Sequence, residues 1–130
     1  MFELFKRAED EKVELFHRSS WSALADGQVG SEFVLHPGMQ GAEGAGVYFS
    51  EGVPPPASTA EGVARAGGQS AIVCIEVDSP AGWWRTKSAL YKKFGRPRTW
   101  HSSGKSIHLT IRRRSEESGE LYLYCDWSWA

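Results

Sequence analysis

The chain has 130 residues, of which 41% are hydrophobic and 24% charged, and its formal net charge is −1. This length and composition are ordinary for one globular domain, so residues 1–130 are interpreted as a single domain. No apolar run approaches the roughly 20 residues that a membrane-spanning helix needs, and the first residues lack a secretory signal, so we expect a cytoplasmic protein without a membrane partner.

The first half of the chain alternates short apolar runs with glycine-rich segments. Residues 2–12 are charged and loosely amphipathic, which predicts a short helix or an arm. An apolar run at residues 13–17 predicts a strand. A serine then begins a short helix at residues 21–25, and five glycines and a proline make residues 28–46 mostly loop. A second short strand is predicted at residues 46–50.

The second half is dominated by predicted strands. A small-residue helix over residues 58–68 precedes the nearly continuous apolar run at residues 71–77, which predicts a central strand. Residues 79–105 form an irregular connector. Alternating apolar and polar residues predict a half-buried strand at residues 106–112, and a turn joins it to a strand at residues 120–127, so these two form a hairpin.

Charge is distributed unevenly along the chain. Residues 79–115 contain ten Lys or Arg and no Asp or Glu. Within residues 83–114 these cations interleave with aromatic side chains, a combination that single-stranded nucleic acid binding uses. Residues 83–114 are therefore a candidate surface for an anionic partner, and a solvated loop is the alternative interpretation.

The two cysteines, Cys74 and Cys125, lie far apart, each within a strand-like apolar run. We expect buried free thiols in a reducing compartment in preference to a disulfide. The sequence contains no spacing typical of metal ligands, so no metal is expected.

Three short features carry residue types suited to chemistry. His17 ends the first predicted strand in a His-x-Ser pattern, Tyr48 lies in Gly-Val-Tyr-Phe-Ser, and Glu120 opens the last strand. Each has an ordinary alternative: a surface histidine, a core aromatic and a solvated carboxylate.

The order of these features resembles the ADP-ribosyltransferase family with the His-Tyr-Glu arrangement, such as poly-ADP-ribose polymerase catalytic cores. The segments at residues 78–82 and 92–97 are also similar to small rifampin ADP-ribosyltransferases. The resemblance implies an α+β fold in which two small antiparallel-rich sheets and a few short helices surround an NAD cleft. Two positions depart from these patterns. Arg18 replaces the glycine that follows the histidine, and residues 83–85 stand where the rifampin enzymes carry an aspartate.

The resemblance further implies an NAD-dependent ADP-ribosyltransferase, a glycosyltransferase that uses NAD as ADP-ribose donor and releases nicotinamide. It assigns catalysis to Glu120, His17 and Tyr48. It assigns contacts with NAD to a set in the first two strands: His17, Arg18, Ser19, Tyr48 and Ser50. The acceptor, whether protein, nucleic acid or small molecule, stays open.

Two alternative functions also stay open. One is a nucleic-acid-binding module built on residues 83–114. The other is an inactive family member that binds and inhibits a protein, which would explain Arg18 and the missing aspartate.

Overall fold

A computed structural model of the chain describes residues 12–20, 27–38, 44–53, 70–86, 98–117 and 120–130. These ranges form eight β-strands, which are β1 (Val13–Ser20), β2 (Glu32–Leu35), β3 (Tyr48–Ser50), β4 (Ser70–Val77), β5 (Trp84–Arg85), β6 (Thr99–His101), β7 (Ile107–Glu117) and β8 (Glu120–Trp129).

All eight strands belong to one mixed sheet with the order β2-β7-β8-β4-β1-β3-β6-β5. Strands β4 and β8 run parallel, and the other described neighbours run antiparallel. The predicted α+β fold, with two small sheets and short helices around a cleft, is therefore wrong. The strands β1 and β3, which carry His17 and Tyr48, are hydrogen-bonded neighbours in the single sheet.

The strands that escaped prediction are short and lie toward the edges of the sheet. Strand β2 falls in the range expected to be loop, and β5 and β6 fall in the range expected to be an irregular connector. Runs of two to four residues are too short to display an alternating pattern, so pairing with a neighbour fixes them. The helices predicted at residues 21–25 and 58–68, and residues 2–11, lie outside the described residues.

The strongest sequence patterns are confirmed. Strand β4 lies between β8 and β1, and its side chains from Ala71 to Ile75 are buried on both faces of the sheet. Strands β7 and β8 form the expected hairpin, with a register irregularity between Ile111 and Arg113. Both strands extend beyond the predicted limits: β8 continues its alternation to Trp129, whereas the alternation of β7 stops at Ile111 and pairing with β8 carries that strand on to Glu117.

The hydrophobic core lies against one face of the sheet. Its buried members come from six of the strands and their flanking turns and include Leu15, Phe49, Val73, Ile75, Trp83, Trp100, Ile107, Leu109, Ile111 and Leu123. We call this the core face. Successive side chains of a strand point to opposite faces, so the neighbours of these residues define a second, site face.

In the described ranges no helix combines the length and apolar character required to cross a membrane.

Both cysteines are buried free thiols, which confirms the expectation, and the disulfide alternative is wrong. Cys125 lies on the core face and Cys74 on the site face, so the sheet itself separates the two thiols.

Candidate functional site

One end of the sheet collects most of the predicted site residues. Ser19 near the end of β1 pairs with Ala71 near the start of β4, and Ala71 pairs with Leu121 near the start of β8. Glu120, the first residue of β8, therefore lies level with the end of β1. Strand β3 runs antiparallel to β1, which places its first residue, Tyr48, at the same end.

Arg18 and Glu120 form an ion pair across this end. The Nη1 atom of Arg18 donates to Oε1 of Glu120 at 2.6 Å, and the two side chains are 12% and 27% exposed. Strand β4 separates their strands, so the pair spans about 10 Å of sheet, twice the usual spacing between strands. A long guanidinium side chain can cover that distance. The contact joins residues 102 positions apart in sequence.

His17 lies on the core face, beside the ring of Phe49 at a centroid distance of 5.2 Å. Its Nδ1 atom is 2.7 Å from the carbonyl oxygen of Tyr48. A carbonyl only accepts, so Nδ1 carries the hydrogen and Nε2 of the neutral ring keeps a lone pair. Burial lowers the pKa of His17 and outweighs the opposing effect of the hydrogen bond to Tyr48. The histidine is thus held as a neutral hydrogen-bond acceptor.

The ring of Tyr48 lies on the site face and begins a row of aromatic rings. The Tyr48 hydroxyl donates to the carbonyl of Gly44, and the ring packs 4.9 Å from that of His101. Trp84 stacks on the other side of His101 at 6.2 Å. These residues are cross-strand partners on β3, β6 and β5, which explains why they line up.

The two serines of the predicted site differ in surroundings. The hydroxyl of Ser50 donates to the carbonyl of Gly52 at 2.6 Å, so it closes its own turn. Ser19 is half-buried. Because it follows Arg18 directly in β1, it lies on the opposite face, the core face. Contacts therefore join His17 to Tyr48 and Arg18 to Glu120, while His17 occupies the face opposite the other three residues.

Sequence reasoning missed His101. This residue is 5% exposed, and its Nδ1 atom accepts from the backbone N–H of Ser103 at 3.0 Å. Its buried Nε2 has no hydrogen-bond partner within the described ranges. No sequence signal marked His101, because β6 is three residues long and lay inside the predicted connector.

The aromatic residues of the basic stretch are mostly structural where they are described. Trp83 and Trp100 are 8% and 2% exposed, and they pack edge to face in the core. Arg85 lies over the ring of Trp100 and Lys105 over that of Trp129. Trp84, at 55% exposure, is the exposed tryptophan of this group. The expectation that residues 83–114 present a surface rich in aromatic rings is thus wrong for Trp83 and Trp100.

A surface cavity of about 300 Å³ lies at the opposite end of the sheet, lined by Glu76, Asp78, Arg112, Cys125, Asp126 and Trp127. Its acids already have cationic neighbours: Lys12 lies 3.9 Å from Glu76, and Arg112 lies 3.5 Å from Asp126. Because these ion pairs are exposed and the cavity is remote from Glu120, we assign it no part in the candidate site.

Comparison with protein-family models, with curated proteins and with solved structures finds no match for this chain. The functional argument therefore depends on the motifs and on the geometry of the residues themselves.

Proposed function

We propose that the protein is an NAD-dependent ADP-ribosyltransferase that transfers ADP-ribose to an acceptor and releases nicotinamide. The observation that carries the proposal is the 2.6 Å contact between Arg18 and Glu120. It brings a late carboxylate beside the residue that follows His17, at the sheet end where Tyr48 lies. Arg18, Tyr48 and Glu120 thereby lie on one face at one end of the sheet. His17 lies at the same end on the other face.

The chemistry of the reaction suits a carboxylate at this place. The glycosidic bond breaks with its electron pair leaving on nicotinamide, which departs neutral, and positive charge develops on the ribose. A nucleophile of the acceptor then bonds to the same carbon and loses a proton. A carboxylate fixed near the ribose stabilises the developing cation, and we assign that role to Glu120.

Of the remaining side chains, Tyr48 and Arg18 offer complementary groups for NAD. His17 lies on the core face, opposite these two residues, so we propose that it positions Tyr48 through the hydrogen bond from Nδ1 to the Tyr48 carbonyl and does not itself contact the donor. The half-buried ring of Tyr48 offers a flat surface for nicotinamide, which would hold the leaving group in position. Arg18 supplies positive charge for the diphosphate. Ser19 lies on the core face and the Ser50 hydroxyl donates to a carbonyl of its own turn, so we assign neither a contact with the donor.

The nucleic-acid-binding alternative loses support from the burial of Trp83 and Trp100. Stacking on bases needs exposed rings, and these two are in the core. We therefore keep residues 83–114 as a candidate contact for an anionic acceptor and not as the main function. The two free thiols suit a reducing environment, and we propose that the enzyme acts in the cytoplasm.

Substitution of Glu120 by Gln tests the proposal. The change preserves shape but removes the charge, so nicotinamide release from NAD should fall by about 100-fold or more. Circular dichroism and NAD titration calorimetry should show that the fold and NAD binding persist. Asp126→Asn is the matched control, because Asp126 is an exposed, ion-paired acid at the other end of the same strand, and it should leave release unchanged. Wild-type protein that releases no nicotinamide, or undiminished release by Glu120→Gln, would show the proposal to be wrong.

A further inference from the structure

The Arg18–Glu120 ion pair opposes the role proposed for Glu120. A carboxylate stabilises a developing cation through its negative charge, and a guanidinium 2.6 Å from Oε1 offsets much of that charge. The two side chains are largely shielded from water, so solvent screens the offset weakly. As long as the pair is intact, Glu120 is a poor partner for positive charge on the ribose.

We propose that this pair is a resting contact, and that the diphosphate group of the donor takes Arg18 from Glu120 when NAD binds. The inference rests on the proposed function and deepens it. Arg18 becomes the residue that recognises the diphosphate, and the same movement frees the Glu120 carboxylate for the ribose. Donor binding and activation of the carboxylate are then one event.

The groups at the site favour such an exchange. A guanidinium has five N–H donors in a planar fork that matches phosphate oxygens, and a diphosphate carries two negative charges against one on Glu120. Arg18 projects from the middle of the sheet, whereas Glu120 begins its strand and is the more exposed of the two. The arginine side chain can thus change partner without movement of β1.

A second acid, Glu117, adds negative charge at this end of the sheet, and Arg18 offsets part of that charge while the ion pair is intact. Glu117 is the cross-strand partner of Glu120 at the end of the β7–β8 hairpin, and like charges in that position repel. Burial raises the pKa of Tyr122, the charges of Glu120 and Glu117 raise it further, and the charge of Arg18 lowers it. Departure of Arg18 therefore leaves a locally negative surface facing the ribose.

The exchange makes an unusual prediction about binding. Removal of the Glu120 charge should tighten the binding of a diphosphate ligand, because Arg18 no longer has to leave an anionic partner. With ADP-ribose as the probe in titration calorimetry, Glu120→Gln should bind about tenfold more tightly than wild type, a difference of about 1.4 kcal/mol. Arg18→Gln should bind more weakly. The double variant should bind as Arg18→Gln does, because the gain from Glu120→Gln depends on Arg18.

Controls separate the exchange from general effects. Adenosine, which lacks phosphate, should bind wild type and Glu120→Gln equally. The exposed pair of Arg112 and Asp126, replaced in the same way, should leave ADP-ribose affinity unchanged. Circular dichroism and the melting temperature verify that each variant is folded.

The outcomes also distinguish this inference from the proposed function. If folded Glu120→Gln binds ADP-ribose no more tightly than wild type, or if the gain persists in the double variant, the exchange is wrong and the transferase proposal stands. If wild type binds neither NAD nor ADP-ribose, both are wrong.

Discussion

The half-buried histidine His17 should make stability depend on pH. Burial holds its pKa below the value of about 6.5 that the unfolded chain displays. The folded protein therefore binds fewer protons than the unfolded chain in the window between the two values. The stabilisation is present above about pH 6.5 and is lost as the pH falls through the folded pKa.

Urea unfolding of wild type and His17→Asn at a series of pH values measures this effect. Asparagine can still donate to the Tyr48 carbonyl but does not titrate. The free energy of unfolding of wild type should fall more steeply between pH 7.5 and 5 than that of the variant. Parallel curves would show that His17 is not the group responsible.

At the residue scale, local motifs found His17, Tyr48 and Glu120, but no local pattern could pair Glu120 with Arg18. That contact depends on the parallel pairing of β4 with β8, which puts the start of β8 two strands from the end of β1. The sequence marks Arg18 as a departure from a glycine and as a contact for NAD, but not as a partner of Glu120. Its partner emerges from the register of the sheet.

At the scale of elements, two glycines that bridge each other differ in the space around them. Gly38 and Gly46 form an isolated antiparallel bridge. A Cβ atom on Gly46 would lie 2.9 Å from Nδ1 and 3.1 Å from Cβ of the buried His101, whereas one on Gly38 would meet nothing within 4 Å. Gly46 is therefore required for β3 to approach β6.

Alanine at each position gives a matched pair. Gly46→Ala should destabilise the fold by about 1–3 kcal/mol, because the buried ring of His101 cannot move aside freely. Gly38→Ala should change the free energy of unfolding by at most about 1 kcal/mol. Urea unfolding of both variants provides the measurement, and equal losses would refute a steric role for Gly46.

The predictability of an element followed its length and burial. Residues 71–77 are apolar except for Glu76, so their position at the centre of the sheet could be predicted, and the alternation of residues 107–111 predicted β7. Strand β5 has two residues, Trp84 and Arg85, both exposed, and carries no comparable signal. The error in fold class followed from this: the short edge strands were assigned to loops, so the remaining strands were predicted to form two small sheets and not one sheet of eight strands.

At the scale of the whole molecule, the reactivity of the two thiols measures how readily each face of the sheet opens. Burial is the main cause that raises the pKa of Cys74 and of Cys125 to about 12 each. The thiolate is the reactive form, so alkylation at pH 8 requires an opening that exposes the thiol and restores its ordinary pKa. Cys125 monitors the core face and Cys74 the site face.

If the chain is one cooperative domain, as its length predicts, a single global opening exposes both thiols. Cys74→Ser and Cys125→Ser leave one thiol each, and iodoacetamide should label the two at similar, slow rates that rise together with urea. The labelling rate divided by that of the unfolded chain gives the equilibrium constant of opening, and the free energy obtained from its logarithm should equal the free energy of global unfolding. Each value is compared with the stability of the same variant, since either substitution can itself perturb the core. Rapid labelling of Cys74 alone would mean that the site face opens independently, and the single-domain prediction would then be wrong.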